Sequence, residues 1–111
     1  MEKILRTDLA MAGLSHHTAG LSDLEAFRFP DEQAFLMAAR ERFRGVLLLQ
    51  TCNRIEVLVQ GSAASLTDCL HEQGREKFEI REGVYVLRHL LQVAAGIDSM
   101  GVVDVQSVGQ L

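Results

Sequence analysis

Apolar residues fall along the chain in short blocks, and the spacing within each block indicates an element. Ile4 to Ser15 is mostly apolar, carries few helix-capping signals and runs into the polar pair His16-His17, the pattern of a buried strand. A loop is expected from Gly20 to Phe29. Pro30, Asp31 and Glu32 suit the first turn of a helix, where a missing N–H costs nothing and carboxylates meet the positive end of the dipole. Phe35, Leu36, Ala39 and Phe43 then recur at helical spacing up to a stop at Gly45. Val46 to Leu49 and Val57 to Val59 are apolar runs of strand length. The polar stretch between them, from Thr51 to Ile55, is too short for a crossover, so the two strands are expected as antiparallel neighbours with a tight connection at one sheet end. Ser65 opens a second helical pattern, with Leu66, Cys69 and Leu70 inward and Gly74 at its C-terminal stop. Phe78 to Arg81 suits a final, edge strand. Val86, Leu87, Leu90, Leu91, Val93 and Ala94 trace a third helical stripe between Gly83 and Ile97.

Strand, helix, strand, strand, helix, strand is the order of an α+β, ferredoxin-like split βαβ (βαββαβ) fold. It predicts an antiparallel sheet with helices on one face, extended here by an extra C-terminal helix. At 111 residues the chain supports a single domain, 1–111, and one proline with no internal repeat leaves no linker to divide it. No apolar run approaches the ~20 residues that cross a bilayer, and Asp8 interrupts the stretch a signal peptide would need. The chain is therefore read as cytoplasmic. A formal charge of −4 argues against a surface devoted to wrapping a phosphate backbone, although local contact with an RNA end stays open. Gly101 to Leu111 stops in mid-pattern, as expected of a segment cut from a longer protein.

Two cysteines without CxxC spacing exclude a disulfide framework, and without an i, i+4 histidine pair no metal site is expected. Cys69 lies on an apolar helical stripe and reads as core. Cys52 is different, because it sits in the polar connection two positions before the permanent cation Arg54, and a nearby cation favours thiolate, the nucleophilic form. The competing reading is a small buried hydrophobe. His89 falls at the margin of the third helical stripe, either as a boundary histidine bonded to backbone or as a base. His16 and His17 point to opposite sides of an extended segment, so at most one faces a given site. Arg40, Arg42 and Arg44 read as a solvated helix face. Neither GxGxxG nor GxxxxGK[ST] occurs, so any hydride donor is bound elsewhere.

Three segments, Gly13 to Ala19 (GLSHHTA), Thr51 to Glu56 (TCNRIE) and Arg88 to Met100 (RHLLQVAAGIDSM), together resemble the N-terminal catalytic domain of glutamyl-tRNA reductase. That family converts glutamyl-tRNA to glutamate-1-semialdehyde with NADPH in tetrapyrrole (heme) biosynthesis. The resemblance implies that Cys52 attacks the ester joining glutamate to the terminal ribose of the tRNA and forms a glutamyl thioester. His89 then takes the position of the family's activity-supporting histidine, as a proton carrier or positioning group. Substrate contacts are implied at Thr51, Cys52, Asn53, Arg54, Ser99, Asp104, Val105, Gln106 and Gln110, with Arg54 binding a carboxylate through two parallel hydrogen bonds. NADPH binding and homodimerisation belong to family regions absent from this chain. The chain alone is thus expected as a monomer with an apolar patch over Val102 to Leu111, and glutamate-1-semialdehyde aminotransferase is the implied channelling partner. The sequence departs from the family at Gly20, where a proline is usual, and at Val103 and Asp104, where the family reads Gly-Glu. Those departures motivate the alternative of a reductase-like module that binds or regulates without catalysis. A thiol redox sensor is a third reading, for which Cys69 is a poor resolving partner.

Overall fold

Three strands that are apolar on both faces build the centre of the sheet. In the computed structural model, which describes residues 8–89, 91 and 104–109, the strands are β1 (Leu9–Ser15), β2 (Gly45–Gln50), β3 (Arg54–Gln60), β4 (Glu79–Glu82) and β5 (Asp104–Gly109). They form one sheet in the order β4-β1-β3-β2-β5, with every neighbouring pair antiparallel. The first four strands reproduce the split βαβ order, with β1 and β3 at the centre and the four exposed residues of β4 on an edge.

Helices α1 (Leu21–Phe27), α2 (Glu32–Arg40) and α3 (Ala63–Glu72) cover one sheet face. Ala10, Ala12, Leu14, Val46, Leu48, Ile55, Val57 and Val59 point into that layer and pack against Leu24, Phe27, Leu36, Ala39, Leu66 and Leu70. The other face is narrower. Residues 84–89 are helical, and Val86 is buried there against Met11 and Leu58. The expected extra helix therefore lies on the face opposite the other three.

Local chemistry explains the helix ends. The Asp31 side chain caps α2 by accepting from the Ala34 N–H at 3.0 Å, so Pro30 stands just outside the helix. Ser62 caps α3 by accepting from the Ser65 N–H at 3.1 Å, so the helix starts at Ala63, two residues ahead of the Ser65 predicted from sequence. Gly74, at φ 82°, closes α3 in a Schellman motif: Arg75 N–H donates to the Leu70 carbonyl and Gly74 N–H to that of His71.

Two expectations are overturned. The segment from Gly20 to Phe29 contains α1 rather than loop alone, because Leu24 and Phe27 gain burial one turn apart. Within the segment expected as an apolar patch, Asp104–Gly109 instead form β5, because the edge of β2 offers an unpaired ladder of N–H and C=O groups. Of the third predicted helix, residues 90 and 92–97 lie outside the described residues, as does the rest of the apolar patch expected from Val102 to Leu111.

Candidate active site at the Cys52 hairpin

The turn between β2 and β3 presents Cys52 and Asn53 to solvent. Thr51 shapes it: its Oγ1 accepts from the Asn53 N–H at 3.1 Å, and its own N–H donates to the Arg54 carbonyl at 2.8 Å. Three residues that the sequence patterns did not single out fix the turn from behind. Gln50, buried at the end of β2, accepts from the Phe29 N–H at 2.8 Å and donates to the Phe29 carbonyl at 3.1 Å and to Glu32 at 2.6 Å. Arg28 donates to the Thr51 carbonyl at 3.0 Å. Arg75 lies over the Phe29 ring at 4.1 Å and donates to the carbonyls of Phe27, Arg28 and Gln73. Burial lowers the pKa of Arg75 from its ordinary value, yet three carbonyl acceptors suit its cationic form. The only sequence signal for this support was a glutamine ending the apolar run Val46 to Leu49.

Beside the hairpin, on the face that Val86 covers, lies a cleft of about 330 Å3 including open solvent, lined among others by Gly13, Ser15, Arg54, Glu56, Arg81 and His89. Here His89 and Glu56 meet. Their side chains are only 15% and 12% exposed, and His89 Nε2 is hydrogen-bonded to Glu56 Oε2. Arg54 Nη1 stands 3.4 Å from the same carboxylate oxygen and 3.5 Å from His89 Nε2. Gly13 makes room for this arrangement. It pairs with Glu56 across the β1–β3 ladder, and a Cβ at Gly13 would fall 2.9 Å from Glu56 Cγ and 2.3 Å from the Ile55 carbonyl oxygen.

The first two segments singled out in the sequence and His89 from the third meet at this end of the sheet. The first brings Ser15 opposite Arg54 and His16 N–H to the Asn53 carbonyl at 2.8 Å. The second is the hairpin itself. The third contributes His89 through the helical residues 84–89. Both His16 and His17 are exposed, their rings 3.8 Å apart. Among the more distant expected contacts, the backbone register of β5 sets Asp104 opposite Gln50, at the hairpin end, and Val105 and Gln106 opposite Leu49 and Leu48. Ser99 and Gln110 lie outside the described residues. The other thiol, Cys69, is buried in α3, and burial raises its pKa, with the Arg42 cation opposing and Glu72 reinforcing the shift. Arg42 also pairs with Glu72 at 2.9 Å; Arg40, Arg42 and Arg44 are exposed, but α2 ends at Arg40, so the other two lie past it and do not form the expected helix face.

Comparison with known proteins gives the same direction as the geometry. The family model described as glutamyl-tRNAGlu reductase, N-terminal domain, matches residues 12–111. A glutamyl-tRNA reductase from Methanoculleus marisnigri is 63% identical over 111 residues, covering all of this chain and 26% of the relative. One from Methanoregula boonei is 61% identical over 102 residues, covering 92% of this chain and 24% of the relative. The solved structure of glutamyl-tRNA reductase from Methanopyrus kandleri superposes with a TM-score of 0.69 at 33% identity, over 85% of this chain and 24% of that one. The chain thus spans about a quarter of the length of these relatives. A match along nine-tenths of its residues, together with a shared fold, makes the chain a member of the glutamyl-tRNA reductase family, corresponding to its N-terminal domain.

Proposed function

We propose that this chain is the acyl-capturing domain of a glutamyl-tRNA reductase and that Cys52 is its nucleophile. The observation carrying the reading is an exposed cysteine on a rigidly supported turn, next to a half-buried cleft that holds a histidine, an arginine and a carboxylate. Cys52 Sγ attacks the glutamyl ester carbonyl, the new S–C bond replaces the C–O bond to the terminal ribose, and the ribose oxygen leaves with a proton. The thioester has less resonance stabilisation than the ester, so its carbonyl is more easily reduced, and one difficult step becomes two. His89 is the group that carries or directs the proton. Thr51 and Asn53 shape the turn that meets the substrate, Arg54 recognises a carboxylate, and Ser99, Asp104, Val105, Gln106 and Gln110 complete the substrate set.

The hydride donor of the proposed reaction is NADPH. Among the described residues no strand-to-helix junction carries the GxGxxG spacing that cradles a dinucleotide pyrophosphate, so these residues do not fit that cofactor and no hydride step is assigned to them. NADPH is held by a part of the enzyme outside the single domain formed by these 111 residues, as are the homodimer contacts. The product aldehyde is handed to glutamate-1-semialdehyde aminotransferase, and the reaction takes place in the cytoplasm. No described helix is long and apolar enough to cross a membrane.

The test is trapping. Protein mixed with tRNA charged with labelled glutamate is quenched in acid and digested. Label is expected on the peptide containing Cys52, absent in Cys52→Ser and reduced at least about tenfold in His89→Ala. Tight tRNA binding with no label on the unsubstituted protein would instead favour a binding or regulatory module, the reading motivated by Val103 and Asp104.

A further inference from the structure

The cleft holds a carboxylate that neither the hairpin nor the core requires. Glu56 belongs to a strand whose neighbouring residues Ile55 and Val57 face the hydrophobic layer, while its own side chain turns to the opposite face and is almost covered. The charged and titratable groups lining that cleft are Arg54, Glu56, Glu79, Arg81 and His89. An ionised carboxylate can only accept hydrogen bonds, so its bond to the ring requires a proton on His89 Nε2. Arg54 Nη1, by contrast, can only donate. Its N–H must then go to Glu56 Oε2, and the 3.5 Å approach of Arg54 to Nε2 brings two donors side by side at one acceptor.

We infer that Glu56 is a positioning residue which acts through His89: by accepting from Nε2–H it fixes the ring orientation and tautomer, leaving Nδ1 as the ring's proton-accepting nitrogen. Gly13 belongs to the same device, because only a residue without a side chain lets Glu56 lie across β1. A carboxylate that selects the tautomer of a working histidine is a recurrent arrangement in acyl transfer. This inference rests on the proposed role of His89 for its consequences in the reaction, but the tautomer itself does not.

Two measurements decide it. Nitrogen-15 NMR of histidine-labelled protein is expected to show His89 as the Nε2–H tautomer when the ring is neutral, and Glu56→Ala to lose that preference. An Nδ1–H ring in the unsubstituted protein overturns the inference. The second is the rate of thioester formation in the full-length enzyme with saturating glutamyl-tRNA. Glu56→Ala is expected to slow it at least about tenfold, Glu56→Gln, whose amide oxygen still accepts from Nε2–H, to recover most of the loss, and Glu56→Ala to add nothing in a His89→Ala background. A full additional loss in that background means that Glu56 works through Arg54 or through folding, and overturns the inference, as does a Glu56→Gln enzyme no better than Glu56→Ala. Absence of any thioester in the unsubstituted enzyme defeats the functional reading alone, since the NMR result still decides the tautomer.

Discussion

At the scale of single residues, the proposed chemistry depends on a few side chains and on one that is missing. Cys52 is reachable because two polar neighbours and a threonine-shaped turn hold it at the sheet end, while Cys69 is buried in α3. Gly13 has the opposite role of providing space. Its virtual Cβ meets a backbone oxygen rather than the flexible end of a side chain, so relief requires moving β3. Gly13→Ala is therefore expected to destabilise the fold by about 1–3 kcal/mol, as overpacking does, and to displace Glu56 from His89. Urea unfolding measures the first effect and the His89 ring signals the second. An alanine variant with unchanged stability would show that β1 and β3 separate more easily than their ladder implies.

At the scale of elements, the turn that carries Cys52 is held by a relay through three connections. Arg75, just past α3, holds the α1–α2 junction through the carbonyls of Phe27 and Arg28. Phe29 is bonded twice to Gln50, and Arg28 reaches the Thr51 carbonyl. Truncating Arg75 removes three hydrogen bonds from a charged donor and its stacking on Phe29. Arg75→Ala is expected to cost roughly 2–3 kcal/mol of stability, read as a lower denaturation midpoint, and to change the alkylation rate of Cys52 without any contact to it. An unchanged alkylation rate in a folded variant would mean that the turn keeps its shape from Thr51 alone.

At the scale of the whole molecule, two faces of one sheet divide the work. The helix-covered face carries most of the hydrophobic layer, and the other leaves space for a polar cleft beneath residues 84–89. Because the chain covers about a quarter of its relatives, the reaction is expected to divide in the same way. Incubated with glutamyl-tRNA and NADPH, the 111-residue chain is expected to release tRNA and, by hydrolysis of the thioester, free glutamate, with no glutamate-1-semialdehyde. Aldehyde detected by mass spectrometry would place a hydride-transfer site within these residues.

What the sequence determined by itself is local or repetitive. The strand-length apolar runs of β1, β2 and β3, the short polar span from Thr51 to Arg54, the stop at Gly74 and the separation of Cys69 on an apolar stripe from Cys52 among polar residues follow from side-chain direction and turn geometry, which depend on near neighbours. Tertiary structure decided the rest, because it concerns partners far apart in the chain. Leu24 and Phe27 become a helix only when a core accepts them, Asp104–Gly109 become a strand only where the edge of β2 is free, and Glu56, Gln50, Arg28 and Arg75 gain their roles only from groups 18 to 48 residues away. Hydrophobic pattern carries direction but not distance, and an ion pair or a buried amide is defined by distance.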